Sequence, residues 1–318
     1  MRHVFIIDQN IFSGQISRID ALQDSISEHF RAQDNSDYIT AISKFPRAAF
    51  GIIQEQIDGA GGDTLRVYAI GGDGILFDCL NAIVGIAGAE LACMPAGAPN
   101  ALTRYISDRR GWTEEAEEIV GLDVIEVGNN YAISGCSVGL GAAAAIRINE
   151  WEAARRGSSR RASGLQRWLR KIALAHKRDV AARQYRIVID GEDYSGRYSL
   201  VSVANAPGFG RTGARLDDSQ PNDGFLDVAL FKPAAPLSTL SSHRRYAAGK
   251  MPRNCLRLKA KKVEVESDRA MFIQTDGEYL MDTSISFEVN EGAVAFVTVD
   301  ELTRKLESTM RRGAASDS

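Results

Sequence analysis

Two hydrophobic rhythms divide the chain. Up to about residue 120, short continuous apolar runs alternate with stretches whose apolar residues recur every three or four positions. Val4 to Ile7 is one such run, the pattern of a strand buried on both faces. After the break at Ser13-Gly14, the residues Ile16, Ile19, Leu22, Ile26 and Phe30 fall on one side of a predicted helix. Tyr38 to Ile42 predicts a second strand, and Pro46 to Ile57 a helix with proline in its first turn. Leu65 to Ile70 predicts a third strand, Ile75 to Val84 a helix, Leu91 to Met94 a fourth strand and Ala98 to Ile106 another helix. Strands alternating with helices imply βαβ units around a parallel sheet.

Beyond Gly121 the period changes. The predicted strands are Asp123 to Val127, Tyr131 to Val138, Tyr185 to Asp190, Tyr198 to Ala204, Leu226 to Phe231, Lys262 to Glu266, Met271 to Gln274, Ser284 to Val289 and Ala293 to Val299. Gly191, Asn222-Asp223-Gly224 and Asp276-Gly277 occupy turn positions between them. This half is expected to be a β-rich sandwich. Ala142 to Arg183 interrupts it with helical composition, and from Trp151 to Arg183 it carries ten Lys or Arg residues against Glu152 and Asp179. Asp300 to Arg312 predicts a closing helix with an aspartate N-cap. The expected domains are residues 1–121 together with 300–312, and residues 122–299 with the basic insertion 142–183.

Composition narrows the field. With 318 residues, 44% hydrophobic and 25% charged, the chain has the balance of a globular protein with room for two cores. A net charge of −3 argues against whole-protein attraction to nucleic acid or to an anionic membrane, so local charge has to be read separately. The apolar run at Val4–Ile7 is too short for a signal peptide, and no stretch is long enough to span a bilayer, so a cytoplasmic protein is expected. Cys79, Cys93, Cys136 and Cys255 form no Cys-x-x-Cys pair, which disfavours structural zinc.

Candidate chemistry concentrates in two glycine turns. Gly71-Gly72-Asp73-Gly74 lies between a buried strand and a helix, where exposed N–H groups favour an anion such as phosphate. A plain strand-to-helix turn with Asp73 as a cap fits the same four residues. Met94-Pro95-Ala96-Gly97-Ala98-Pro99-Asn100 follows the next strand and so lies on the same sheet edge, where ligands of open α/β sheets bind. A loop with Asn100 as a turn residue is the alternative there.

The motifs in sequence order resemble the diacylglycerol kinase-like lipid kinase family. Asn10 to Gly14 resembles its Asn-Pro-x-Ser-Gly loop, with Ile11 for proline; Ala69 to Gly74 resembles its signature turn; Pro95 to Asn100 resembles its Pro-x-Gly-Thr-x-Asn loop. Ser134 to Gly139, Asn205 to Gly210, Pro221 to Asp227 and Thr275-Asp276-Gly277-Glu278 resemble the later family segments. The resemblance implies a fold of α/β plus β: a Rossmann-like parallel-sheet nucleotide-binding domain with a second β-sandwich domain, and Mg²⁺-ATP in the cleft between them. It implies nucleotide contacts at Asn10, Ser13, Gly14, Ser43, Gly71, Gly72, Asp73, Gly74, Gly97, Ala98 and Asn100. It implies a Mg²⁺ site at Gln220, Asp223 and Phe225, with Glu278, aided by Asp73, as catalytic acid/base. The implied activity is ATP-dependent phosphorylation of a lipid hydroxyl, that of diacylglycerol or a relative, at a membrane surface.

Departures from the family pattern fall on phosphate-binding positions. Ile75 stands where a threonine hydroxyl is usual, Phe77 replaces an amide, and Ala98 and Ala101 remove a hydroxyl and an acid. Two readings follow: phosphate is held by backbone alone, or the chain is a weakened relative that binds nucleotide or lipid. NAD kinase is a third, sharing Gly71 to Gly74 but lacking a matching Asn-Glu downstream. Trp168, Leu169, Ile172 and Ala175, flanked by Arg167, Arg170, Lys171 and Lys177, form the expected membrane-contacting helix face, or else a helix packed on the sandwich. A homodimer is left open.

Overall fold

The computed structural model describes residues 1–11, 15–45, 47–59, 61–95, 119–153, 182–209, 214–215, 219–276, 278–297, 302 and 306. The chain divides into two compact units, Met1–Val124 with Glu291–Ser318, and Ile125–Asn290.

In the first unit the chain runs β1 (Arg2–Asp8), α1 (Ile16–Ala32), β2 (Tyr38–Ser43), α2 (Ala48–Gly59), β3 (Leu65–Gly71), α3 (Asp73–Ile83) and β4 (Ala89–Pro95). The strands pair in parallel in the order β2-β1-β3-β4. Ala295–Val297 adds a further parallel strand beside β4. β1 pairs with the next strand in sequence on one side and with β3 on the other, so the order of winding reverses between β1 and β3. All seven residues of β3 are buried, as expected of a strand covered on both faces. The amphipathic helix α1 lays Ile19, Leu22, Ile26 and Phe30 on Phe5, Ile7, Tyr68 and Ile70. Each such side chain contributes about 1.5–3 kcal/mol by leaving water. Leu302 and Leu306 join the same core.

The second unit is built mainly from antiparallel strands. Along the chain come β5 (Ile119–Val127), β6 (Asn130–Ala132), β7 (Gly135–Gly139), α4 (Leu140–Ala153), β8 (Arg183–Ile189), β9 (Glu192–Asp193), β10 (Gly196–Tyr198) and β11 (Leu200–Ala204). There follow β12 (Gly208–Phe209), β13 (Ala214–Arg215), β14 (Leu226–Phe231), α5 (Pro236–Ala247), β15 (Cys255–Ala260), β16 (Lys262–Thr275) and β17 (Glu278–Val297). The order β15-β14-β11-β7-β16-β17 describes the main sheet. β16 serves two partners: Val263–Glu266 pairs with β8, while Ile273–Thr275 pairs with β7. A register shift between Glu266 and Met271 separates the halves, and a bulge of this kind lets one strand turn between two layers. Alternate residues such as Val201, Val203, Val228, Leu230, Val263 and Ile273 meet in one apolar core. The parallel sheet and the sandwich-like second unit match the expected fold class.

Several element bounds differ from the sequence pattern for identifiable reasons. α3 begins at Asp73, two residues before Ile75, because Gly72 in extended conformation caps it. Tyr131 to Val138 is two strands, β6 and β7, and Tyr198 to Ala204 is likewise split. Conversely, the predicted pairs Lys262–Glu266 with Met271–Gln274, and Ser284–Val289 with Ala293–Val299, are each one long strand, since polar residues at exposed positions do not end a ladder. α5 and β15 have no counterpart in the predicted elements. The predicted helix Ala98–Ile106, most of Asp300–Arg312 and most of the basic insertion 142–183 lie outside the described residues; Leu140–Ala153 is helical at the insertion's start. The candidate membrane face at Trp168 lies outside them too.

Candidate functional site

The carboxyl ends of the parallel strands form one edge. Asp8 pairs with Ser43, and Gly71 with Pro95, so β1, β2, β3 and β4 end nearly level. The reversal between β1 and β3 places this edge at a topological switch point, the usual ligand crevice of an open α/β sheet. Asn10 turns back on β1: its backbone N–H and its side-chain Nδ2 both donate to Asp8 Oδ1 at 2.9 Å. Ser43 is buried, with its hydroxyl 3.4 Å from the Phe45 carbonyl. Ser13, Gly14, Gly97, Ala98 and Asn100 lie outside the described residues.

The glycine turn has two kinds of glycine. At Gly71, with φ +154°, a Cβ would stand 2.8 Å from Ile75 Cγ2 and 2.9 Å from Asp8 Cβ. The protein's own packing forbids a side chain there. At Gly72 and Gly74 an added Cβ meets nothing within 4 Å among the described residues. Packing among the described residues does not require glycine at either, and no described residue fills the space beside them. α3 opens there, and a helix start presents N–H groups with no intrahelical acceptor to an anion. Asp73 is the acid of that first turn.

Of the residues that depart from the family pattern, Ala98 and Ala101 lie outside the described residues, and the other two have packing roles. Ile75 and Phe77 are buried at 6% and 3% exposure and are packing residues of α3. Asp78, also buried, accepts the Arg47 backbone N–H at 2.8 Å through Oδ2. Arg47 sits at φ +64°, so this carboxylate ties a residue in the left-handed region to α3. Nothing near Asp78 in sequence announces that contact.

In the second unit, motifs far apart in sequence meet. The Asp276 carboxylate is buried and accepts three consecutive backbone N–H groups: Ile133 at 2.6 Å, Ser134 at 3.1 Å and Gly135 at 2.9 Å. Asn205 holds the same segment from another side, donating from Nδ2 to the Ile133 carbonyl at 3.0 Å. The backbone N–H groups of Asn205 and Ala206 reach the Ser134 carbonyl. Three of the sequence motifs, at Ser134, Asn205 and Asp276, are therefore one hydrogen-bonded cluster. Asp276 has φ +43°, and two residues later Glu278 opens β17, exposed and in register with Thr275. Glu278 is thus an available carboxylate beside a locked one. Cys136, next in the cluster, has its thiol pushed well up, first by burial and then by the charge of Asp276.

The turn holding Gln220, Asp223 and Phe225 is organised around lysine and arginine. Asp223 Oδ1 accepts the Phe225 N–H at 3.0 Å, and Lys259 Nζ lies 2.5 Å from Asp223 Oδ2. Lys259 faces Asp227 directly across β14 and β15, 3.6 Å from its Oδ2. Arg257 lies 2.6 Å from the other oxygen of the buried Asp227. Lys261 stands over the Phe225 ring at 5.6 Å. Burial pulls the Lys259 ammonium down, but Asp223 and Asp227 outweigh it, so the net shift is upward. A divalent cation asks for several oxygen ligands and an uncompensated negative charge. Here two basic residues, Arg257 and Lys259, already face two carboxylates, and among the described residues no group of three or more His, Cys, Asp or Glu side chains is placed to hold a metal. As folded, Asp223 is engaged by Lys259, so a cation at this turn would have to displace an ammonium. Sequence reading missed Arg257 and Lys259 because β15 was not recognised as a strand, so their facing of Asp227 was invisible.

Among the described residues no helix is long and apolar enough to cross a membrane. Residues 9–130 match the diacylglycerol kinase catalytic domain, and residues 136–298 match the YegS C-terminal NAD kinase beta sandwich-like domain. A Staphylococcus aureus (strain bovine RF122 / ET3-1) protein named "Putative lipid kinase" is 26% identical over 248 residues, 74% of this chain and 78% of the relative. Two solved structures from Bacillus anthracis str. Sterne share the fold. One, titled a diacylglycerol kinase, has TM-score 0.64 and 17% identity over 93% of this chain and 96% of its own. The other, titled "A putative diacylglycerol kinase", has TM-score 0.66 and 19% identity over the same shares. The two domain matches follow one another in the order the motifs require and together take in both units, so the chain belongs to the diacylglycerol kinase-like family of lipid kinases.

Proposed function

We propose that the protein transfers the γ-phosphoryl group of ATP to the hydroxyl of diacylglycerol or a related lipid. The observation that carries this reading is the open glycine pair, Gly72 and Gly74, at the switch-point edge of a family-matched sheet. In phosphoryl transfer the protein supplies positioning and charge stabilisation more than covalent chemistry. Backbone N–H groups at the start of α3 would receive the phosphates of Mg²⁺-ATP, bound as substrate. Because Ile75 brings no hydroxyl, this cradle is backbone alone. Glu278 is proposed to take the proton of the acceptor hydroxyl, and Asp73 to orient the transferring end of the nucleotide. Asp276 is excluded from the role of base by its three N–H donors, which hold its oxygens away from any substrate. No step is assigned to a cation at Asp223.

The test is transfer of label from γ-labelled ATP to a panel of dispersed lipids, with NAD as a competing acceptor. Labelled lipid that disappears in Glu278→Ala supports the reading. Labelled NADP and no labelled lipid would replace it with a nucleotide kinase. Tight ATP binding without any transfer would leave a binding protein, the reading favoured by the buried aliphatic Ile75.

A further inference from the structure

The stretch from Lys232 to Lys262 carries nine Lys or Arg residues and no acid, in a chain whose net charge is −3. Not all of this charge is spoken for inside the fold. Arg257, Lys259 and Lys262 have carboxylate partners, and Lys261 lies over Phe225. Arg244, Arg245, Lys250 and Arg253 make no ion pair among the described residues.

The fold also fixes where these four stand. α5 is anchored on the outer face of the sheet by Tyr246, whose ring meets Phe231 edge-on at 5.0 Å and whose hydroxyl reaches Ser202 Oγ at 3.3 Å. His243 packs on the same Phe231 ring. Thr239 and Tyr246, seven residues apart, define the buried side, which leaves Leu237, Ser241 and Arg244 in a stripe on the other. The turn after the helix is tied down by Ser242 Oγ to Asn254 Oδ1 at 2.7 Å and by Asn254 Nδ2 to the Lys232 carbonyl at 2.9 Å. Within this basic, acid-free stretch three large aliphatic side chains are left in water, Leu237 at 63%, Met251 at 41% and, on β15, Leu256 at 41% exposure; the first two belong to α5 and the turn after it.

We infer that α5 and the turn after it, through Leu237, Arg244, Arg245, Lys250, Met251 and Arg253, form a surface that docks on an anionic lipid bilayer. Cationic side chains interleaved with exposed aliphatic ones are the composition of an interfacial contact. Each Lys or Arg close to an anionic leaflet contributes about 1 kcal/mol. Exposed Leu and Met, with no exposed aromatic among them to stack on bases, favour lipid over nucleic acid as the occupant. Two arginines in the last turn of a helix also complement its dipole, and the experiment separates that role from docking. The inference rests on the proposal that the acceptor is a lipid, since it supplies the route by which the protein reaches one.

The test is flotation of the full-length protein with vesicles of phosphatidylcholine alone and of phosphatidylcholine with phosphatidylglycerol. Binding to the mixed vesicles only, weakened by salt, is expected. Replacing Arg244, Arg245, Lys250 and Arg253 together by Gln is expected to weaken it at least about 100-fold. L237S with M251S is expected to weaken it further, and the melting temperature checks that each variant is folded. Transfer to a lipid acceptor dispersed in detergent should be the same in the Gln variant as in the parent. A Gln variant that floats like the parent, a parent that floats with neither vesicle, or equal binding to both would overturn the surface. Preferred binding of RNA over anionic vesicles would overturn it too. Vesicle binding without any transfer in detergent would remove the kinase reading and leave the surface standing.

Discussion

In the first unit the turn after β3 is made of backbone, with side chains kept away; in the second, the turn after β16 is built around one carboxylate. Gly71 is bare because Ile75 and Asp8 crowd it, while Gly72 and Gly74 are bare with no described residue beside them. Asp276, by contrast, is buried and fully engaged by Ile133, Ser134 and Gly135. The difference separates residues the fold needs from residues a ligand needs. Both kinds occur inside one short motif: Gly71 beside Gly72, and Asp276 two positions before Glu278. A motif match alone gives all four the same weight, and contact geometry sorts them.

Substitutions can break this sorting. The largest effect is expected at Asp276. Asp276→Ala leaves three buried N–H groups without their acceptor, at about 1–3 kcal/mol each if unrelieved, and should show as a large fall in the denaturation midpoint. Gly71→Ala comes next, at about 1–3 kcal/mol of stability, from overpacking against Ile75 and Asp8. Glu278→Ala is expected to leave the midpoint unchanged, because the side chain is exposed, while lowering kcat about 10²- to 10⁴-fold. Were its stability to fall as in Asp276→Ala, the division between locked and available acid would be wrong. Gly72→Ala should fold like the parent and bind ATP about tenfold more weakly, because its methyl would hold the phosphates off the backbone N–H groups and weaken roughly one hydrogen bond.

The smallest effect concerns Lys259. Its ammonium is raised by Asp223 and Asp227 in the folded state, so its contribution is fully present below the ordinary lysine pKa and is lost only as pH climbs through the raised value. Lys259→Met is expected to lower the melting temperature slightly at neutral pH, and by less at strongly alkaline pH. Without nucleotide, Mg²⁺ should not stabilise the parent protein. A Mg²⁺-dependent rise in melting temperature that Asp223→Asn removes would show that a cation displaces Lys259.

How much of this was legible in the sequence depended on locality. Leu226–Phe231 is a strand as its run of apolar residues predicts, and α1 buries the four residues its spacing picks out. The parallel sheet followed from the alternation of apolar runs and helical stripes. β15 was missed although Leu256, Leu258 and Ala260 alternate with Arg257 and Lys259, because its polar face is charged and proline precedes it. α5 was missed because only Leu237, Leu240 and Tyr246 mark a helix otherwise rich in serine and arginine. At the site, glycines and acids were found as residue types, but their partners were not. Nothing near Asp276 in sequence announces Ile133 or Asn205, and nothing near Asp223 announces Lys259. Those pairings are set by strand register, which only the folded sheet supplies.

The claim on which the functional reading turns is that the phosphates of ATP sit against the backbone of Gly72 to Gly74. Hydrogen exchange of the peptide covering residues 71–76, with and without Mg²⁺-ATP, tests it directly. The account predicts slowed exchange at these amides on nucleotide addition, diminished in Gly72→Ala. Unchanged exchange there at saturating nucleotide, with protection appearing in some other segment, would contradict it.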